Sequence, residues 1–470
     1  MTNRLHNPLF WVSRHVFLST TLLALLVYLF TLAPDLIWAH FGGDGGELIT
    51  AAVTLGVPHP PGYPTYVLLG KFISFIPIGT AVFRFNLFSA VCVALAAGVV
   101  AVVSGQYSVG SKLNTDYRLL NTDYWSLITG LTFAFTSFVW GQAVIAEVYG
   151  LNVLLVALFL WALLGERPYP LTGLLLGLSL TTHLTSAFLI PLALALVPTR
   201  NWPKLGVGLL AGLTPFLLLP LFAYGSSPVV WGNPTTWQGW WWLVSGRIYH
   251  PNAFASPAAQ WLPRLREWAL LAAGGMASLQ VCKWQGASNK PANLLTCKPT
   301  YLLLATFFLY FLYAFFYNTL DAAALLLPGV LLLVLLLAPI LRQLGRWGWL
   351  LPLALLLLNF NGQNLRGDAG VRPFAITVLE EAPNEAILLT PGNESIFALW
   401  YFQTVEGLRP DVILVDKNLF AFDWYRARLQ AQHPDLRHLS VDDLEGFRQA
   451  NGGQRAILTV DLWEKMEIEN

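Results

Sequence analysis

Leu22-Leu23-Ala24-Leu25-Leu26-Val27-Tyr28-Leu29-Phe30 is the centre of an apolar run over 15–34, and Gly42-Gly43-Asp44-Gly45-Gly46-Glu47 follows it, then Pro58-His59-Pro60-Pro61-Gly62-Tyr63-Pro64. The run contains no Asp, Glu, Lys or Arg, and a stretch of about 20 such residues crosses a bilayer as a helix. No small-x-small cleavage site follows it, and it is longer than a signal-peptide core, so it reads as a retained anchor. Two carboxylates in a glycine-rich loop at the expected membrane surface imply chemistry at an interface, because acids are costly there unless they have a task.

The rest of the chain supports the membrane reading. Of 470 residues, 56% are hydrophobic and 11% charged, against about 25% charged in ordinary soluble domains; the mean hydropathy is +0.56. Apolar segments run over 15–34, 63–78, 85–104, 124–140, 143–164, 169–183, 184–199, 203–224, 264–281, 301–317, 321–341 and 347–360. They lack the period-two alternation of an outer-membrane barrel. The expected fold is an all-α polytopic membrane protein with about 11–12 transmembrane helices over 1–360. From 361 to 470 charged residues become frequent, and short apolar stretches at Ala386–Leu389, Val412–Val415 and Ala456–Val460 alternate with helix-like segments at 394–406 and 421–433. That pattern predicts a small soluble α/β domain. A net charge of +1 with no basic stripe excludes nucleic acid as a partner.

Basic residues beside the crossings set the orientation. Arg4, Arg14, Arg200, Lys204, Lys283, Lys290, Lys298, Arg342 and Arg346 mark the cytoplasmic side. Asp44, Glu47, Glu147, His183, the 225–262 loop, Asp321 and the C-terminal domain then fall on the opposite face. Parity between Glu47 and Glu147 holds only if the short, Lys71-containing segment 63–78 is interfacial or re-entrant; the alternative is that Lys112 and Arg118 mislead about the 105–123 loop. Cys92, Cys282 and Cys297 show no metal-ligand spacing. The lysines around the last two argue for free thiols on the reducing side.

Several side chains are candidates for chemistry. Asp44 lies between two glycine pairs, where an unhindered backbone admits a substrate, or where Asp and Gly simply make a turn. Glu47 begins a helix-like run, so it is either a first-turn acid or a catalytic one. His59 and Tyr63 lie on a proline-stiffened path that shapes a pocket roof or only connects. Glu147 opens an apolar helix as a cap or a substrate contact. His183 interrupts an apolar hairpin, and Arg247 and His250 lie in a loop whose Trp231, Trp237, Trp240, Trp241 and Trp242 suggest an interfacial belt; cations there could hold a phosphate. Asp321 opens another crossing as a cap or a site residue.

Taken in order, Gly43-Asp44-Gly45-Gly46-Glu47-Leu48, the Pro58–Pro64 segment, Ala146-Glu147-Val148-Tyr149, Tyr317-Asn318-Thr319-Leu320-Asp321 with Pro328, and Tyr401-Phe402-Gln403 with Arg409-Pro410-Asp411-Val412 resemble the transmembrane protein 260 type of protein O-mannosyltransferase and its bacterial relatives. The resemblance spans most of the chain. It implies a glycosyltransferase-C architecture whose first extracytoplasmic loop supplies the acid to a site fed by a polyprenyl-phosphate-linked sugar. By motif position it implies Asp44 as base, with Glu47 and Glu147 as supporting acids, and a protein or envelope-glycan acceptor. The expected membrane is a bacterial inner membrane, or the endoplasmic reticulum in a eukaryote. No cofactor is required, although a second acid could bind a divalent metal. A flippase for the same carrier is the rival reading; it should place ionisable residues near mid-membrane, whereas these acids cluster at helix ends. A scaffold that displays the soluble domain is another.

Overall fold

The computed structural model describes residues 8–108, 123–285 and 294–460, with side chains described over 14–105, 124–277 and 298–460. Arg4, Lys112, Arg118, Cys282, Lys283, Lys290 and Cys297 therefore lie outside the described side chains; Cys92 is buried and free.

The first apolar run forms α1 (Pro8–Thr31). The loop after it folds as two short helices, α2 (Gly45–Thr54) and α3 (Pro64–Ser74), before α4 (Ala81–Ser108). Asn86, near the start of α4, donates to Ala33 O just past the end of α1, so the chain enters α2 and leaves α3 on one face of the bundle and α3 does not cross. The suspected parity conflict is resolved in favour of a non-crossing 63–78 segment. Next come α5 (Asp123–Phe135), α6 (Ser137–Ala143) and α7 (Val148–Leu164); α6 and α7 meet at 117°. Helices α8 (Tyr169–Leu180), α9 (Ile190–Leu196), α10 (Trp202–Leu213) and α11 (Leu219–Ala223) follow. The tryptophan-rich segment is α12 (Trp237–Val244), and α13 (Ala258–Gln285), α14 (Leu294–Phe316), α15 (Leu327–Leu344) and α16 (Leu350–Gln363) complete the bundle.

Five stretches are individually long and apolar enough to span, or six with the bent pair counted. Shorter apolar helices lie among them, and packing gives their directions. Helices α8 and α10 cross through Gly173 and Gly177 on one side and Gly208 and Gly212 on the other; a Cβ on Gly208 would stand 2.0 Å from Pro170 O, and one on Gly212 2.4 Å from Leu174 O. Small residues four apart let backbones touch where lipid offers no hydrophobic drive. The contacts run in parallel register, so the 184–196 segment must return the chain between them. Gly345 lies beside Tyr124 and Gly348 beside Ile128, while Asn359 donates to Phe135 O at the other end of α5. The 40-residue stretch Ala324–Gln363 is thus a hairpin of two passes. Among the described residues, these spans pack with the shorter apolar helices 124–135, 169–180 and 184–196 in one helical bundle. The chain is a multi-pass integral membrane protein.

Beyond the bundle, α17 (Val371–Glu381), β1 (Ile387–Thr390), α18 (Asn393–Thr404), β2 (Ile413–Asp416), α19 (Asp423–Gln432), α20 (Leu444–Asn451) and β3 (Ile457–Thr459) form an α/β unit. Its parallel sheet has the order β2-β1-β3, with Ile387 paired to both Ile413 and Ile457. The three apolar stretches predicted as strands are these strands. Gln403 donates to Arg409 O and Val412 O, and Arg409 reaches the Leu379, Ala382 and Pro383 carbonyls, so the Gln403 and Arg409-Pro410-Asp411 motifs stitch turns. Arg372 bonds Asp35 of the first loop and, bidentately, Glu406 at 2.6 and 2.8 Å. Arg428 donates to Ser227 O. The unit is thereby clamped onto the mouth of the bundle.

Candidate active site

The Pro58–Pro64 path is fixed at its start by a parallel bridge to the 227–231 loop: Val57 donates to Val229 O at 2.8 Å and Trp231 donates to Val57 O at 3.0 Å. At its end Gly62 (φ 86°) and Tyr63 (φ 40°) turn the chain into α3, with Pro64 as the first helical residue. This bridge brings Trp231 over Glu47. Glu47 is fully buried, and one of its oxygens accepts from Trp231 Nε1 at 2.5 Å and His59 N at 3.1 Å; the other faces His59 Nδ1 at 2.5 Å. Burial of a carboxylate is tolerated when its lone pairs are met and its charge is balanced. The balance here is an imidazolium. Burial by itself lowers His59, but the Glu47 and Asp44 carboxylates and the Glu47 hydrogen bond outweigh it and lift the imidazole to about 9.

The other nitrogen of His59 points at the cleft. Nε2 lies 2.8 Å from Tyr63 Oη and 3.6 Å from Asp44 Oδ2. The ring stacks on Phe397 of α18 at 9° and 6.3 Å. Asp44 precedes α2 and projects into a cleft of about 580 Å³ walled by residues including Trp38, Tyr63, Tyr149, Phe188, Tyr249, Tyr313 and Asp321. The cleft walls strip solvent from Asp44, and with Glu47, Asp321 and Glu394 nearby its carboxyl rises to about 6 despite the opposing His59 charge. His40 and Phe41, just before the glycines, hold the left-handed conformation (φ 57° and 63°), a strained turn of the kind that persists where surrounding structure fixes it. It aims Phe41 at the cleft.

The structure brings together Asp44, His59, Tyr63, His183, His250 and Asp321 on the cleft wall. Asp321 accepts from Tyr149 Oη at 3.1 Å and from Thr319. His183 bonds Thr185 Oγ1 through Nδ1 at 2.8 Å, and His250 donates to Ser245 O at 3.0 Å. Three expectations change. Glu47 lies behind His59 and does not reach the cleft. Glu147 caps α7, accepting from Val148 N at 3.3 Å in a buried position behind Tyr149, so the capping alternative is the one realised. Arg247 is exposed outside the lining. Among the described residues no Lys or Arg lines the cleft; burial pushes the His183 imidazole down to about 4, so His59 is the cation beside Asp44.

Sequence reasoning missed four contributors. Trp231 anchors Glu47 rather than sitting in the interfacial belt; Trp237 and Trp241, 70% and 54% exposed, do form such a surface. Arg264 donates to the Ala314, Phe315, Tyr317 and Thr319 carbonyls, closing the end of α14 and fixing the loop that carries Asp321. Asn393 and Glu394 reach the cleft from the α/β unit. Among the described residues no group of three or more His, Cys, Asp or Glu side chains is arranged to hold a metal ion.

Comparison with known proteins then bears on the whole chain. The family model described as the Protein O-mannosyl-transferase TMEM260 N-terminal domain matches residues 44–206, and TMEM260-associated domain 2 matches 371–467. The chain belongs to the TMEM260 family. Protein O-mannosyl-transferase TMEM260 of Mus musculus is 26% identical over 449 residues, covering 84% of this chain and 62% of that protein. Protein O-mannosyl-transferase tmem260 of Dictyostelium discoideum is 29% identical over 147 residues, 31% of this chain and 16% of its own. The chain thus spans less than two thirds of these TMEM260 relatives. A crystal structure of ArnT from Cupriavidus metallidurans bound to undecaprenyl phosphate aligns over 86% of this chain and 90% of its own, at 13% identity and a TM-score of 0.49.

Proposed function

We propose that this TMEM260 family member is a membrane glycosyltransferase that moves a sugar, mannose, from a polyprenyl-phosphate carrier to a serine or threonine hydroxyl of a protein on the extracytoplasmic face. The observation that carries the reading is the Glu47–His59–Asp44 chain at the wall of the cleft: an acid raised to about 6 beside a cation held by a buried carboxylate. Asp44 takes the proton of the acceptor hydroxyl as the acceptor oxygen bonds to the anomeric carbon. The bond from that carbon to the phosphate oxygen breaks, and polyprenyl phosphate leaves with the electron pair. A single displacement inverts the anomeric centre. His59, as imidazolium, meets the charge that grows on the leaving phosphate, with Tyr63 fixing its Nε2 and Glu47 its Nδ1 as positioning residues. His183, whose Nδ1 accepts from Thr185 N, offers its Nε2–H as a further donor to the phosphate in a cleft whose described lining holds no Lys or Arg.

The side of the membrane is supported by Arg200, Lys204, Arg342 and Arg346, which sit at helix ends away from the cleft, as the excess of basic residues on the cytoplasmic side requires. The apolar wall of Phe188, Tyr313 and Leu325 suits an isoprenoid, whose transfer to water costs about 0.8 kcal/mol per methylene. Residues 1–360 form the catalytic part and 361–470 the extracytoplasmic part. The test is a panel of polyprenyl-phosphate sugars given to the detergent-purified chain with a serine/threonine peptide, the anomeric configuration of the product being read by NMR. Transfer of mannose with inversion supports the reading. Retention, or transfer to envelope glycan or lipid only, overturns the mechanism or the acceptor respectively.

A further inference from the structure

The glycine pairs that flank Asp44 do not face an open approach for substrate. A Cβ on Gly46 would stand 2.4 Å from Phe397 O and 2.7 Å from Phe397 C, and one on Gly43 would stand 3.1 Å from Glu394 Cγ. Both neighbours belong to α18. The glycine-rich loop is therefore shaped to receive the first turns of a helix that the α/β unit delivers, and Phe397 then stacks on His59. In a parallel sheet the loops that carry function leave the carboxyl ends of the strands. Here β1, the central strand, ends at Thr390 and leads through Pro391 and Gly392 directly into Asn393 and Glu394.

We infer that the α/β unit is a built wall of the catalytic cleft and that Glu394 is an acceptor-binding residue, taking hydrogen bonds from the hydroxyl-bearing peptide. This rests on the glycosyltransferase reading above. Glu394 lines the cleft, is exposed, and has no ion pair or hydrogen bond among the described residues. With Asp44 and Asp321 it makes a third carboxylate on a cleft that must admit an anionic donor. An unpaired carboxylate repels the carrier phosphate, so its partner is the neutral or cationic substrate. The two ends of the cleft separate the substrates accordingly. Phe188, Tyr313 and Leu325 come from the membrane bundle, whereas Asn393 and Glu394 come from the unit outside it, where a peptide arriving from water meets the site first.

The experiment measures, with the full chain in detergent, hydrolysis of polyprenyl-phosphate-mannose without acceptor and its transfer to a synthetic serine/threonine peptide, for wild type, Glu394→Gln, Glu394→Lys and the surface control Glu445→Gln. Loss of a charge-assisted hydrogen bond predicts a rise of about tenfold in the peptide KM for Glu394→Gln, more for Glu394→Lys, with the donor KM changed by less than about twofold. An unchanged peptide KM overturns the inference, as does an equal loss of hydrolysis and transfer, which would make Glu394 a donor residue. Hydrolysis by wild type without peptide transfer overturns the acceptor assignment alone. If wild type neither hydrolyses nor transfers, the glycosyltransferase reading fails and takes this inference with it.

Discussion

Replacing Glu47 by Gln keeps the size of a fully buried side chain and removes its charge. Gln Oε1 can still accept from Trp231 and from His59 N, but its amide N–H now faces His59 Nδ1, which must present a lone pair. The imidazole becomes neutral. Lifting His59 from 6.5 to about 9 is a net gain of about 3 kcal/mol for the cation, at about 1.4 kcal/mol per decade; the substitution removes the Glu47 charge and hydrogen bond and leaves Asp44 and Asp321 to oppose burial. The sign follows directly. A raised folded-state value means that the cation, and the stability it brings, is fully present below about 6.5 and is lost as pH rises through about 9; Asp44, raised to about 6, becomes a competent base as pH rises through that value. Wild-type transfer is therefore bell-shaped with limbs near 6 and 9. In Glu47→Gln the alkaline limb moves down towards the ordinary imidazole range, narrowing the bell, and the maximal rate falls by about 10²-fold if the full difference is expressed against the leaving phosphate. The assay is the pH–rate profile of transfer with donor saturating. An alkaline limb that stays near 9, or a full rate at pH 8, would refute the reasoning.

Other substitutions probe the docking and the bundle. Gly46→Ala forces Phe397 O away from a Cβ 2.4 Å distant; overpacking should cost about 1–3 kcal/mol in thermal unfolding and displace His59 through Phe397, whereas a wild-type melt and rate would show that α18 is free to shift. Arg372→Ala removes the contacts to Asp35 and Glu406, and the α/β unit should then be cut faster in limited proteolysis while the bundle stays intact; unchanged cutting would mean the aromatic contacts of Trp38 with Phe374 and of Trp231 with Trp424 suffice. Gly208→Val puts a branched side chain where a Cβ already lies 2.0 Å from Pro170 O, so α8 and α10 must part and the protein should melt lower by an amount that Gly206→Val, in open space, does not reproduce.

Much of this architecture is legible in the chain. Apolar length reveals the passes, and the three strands show as short apolar stretches because a central parallel strand is buried on both faces. Cleft residues such as Asp44, His59 and Asp321 stand out because ionisable groups beside apolar runs are rare. What stayed hidden depends on long-range contact. The Gly42–Glu47 loop shows that something approaches closely, but the visitor is α18, some 350 residues away, and no local pattern names it. Glu47 reads as catalytic because its two fates, capping and chemistry, share one position; a third, anchoring His59 through Trp231, requires the Val57–Val230 bridge. Glu394 looks like an ordinary first-turn acid. The Gly173/Gly177 and Gly208/Gly212 spacing was readable as a helix-crossing motif and carries its own signal.

The central claim is that Asp44 is the base. Wild type and Asp44→Asn are compared at pH 7.5 for transfer of labelled mannose from polyprenyl-phosphate-mannose, with donor binding measured separately by a spin-down or fluorescence assay. The amide keeps the loop's shape and cannot take a proton, so the account predicts donor binding at near wild-type strength with transfer reduced by about 10²-fold or more. Undiminished transfer by Asp44→Asn would contradict it.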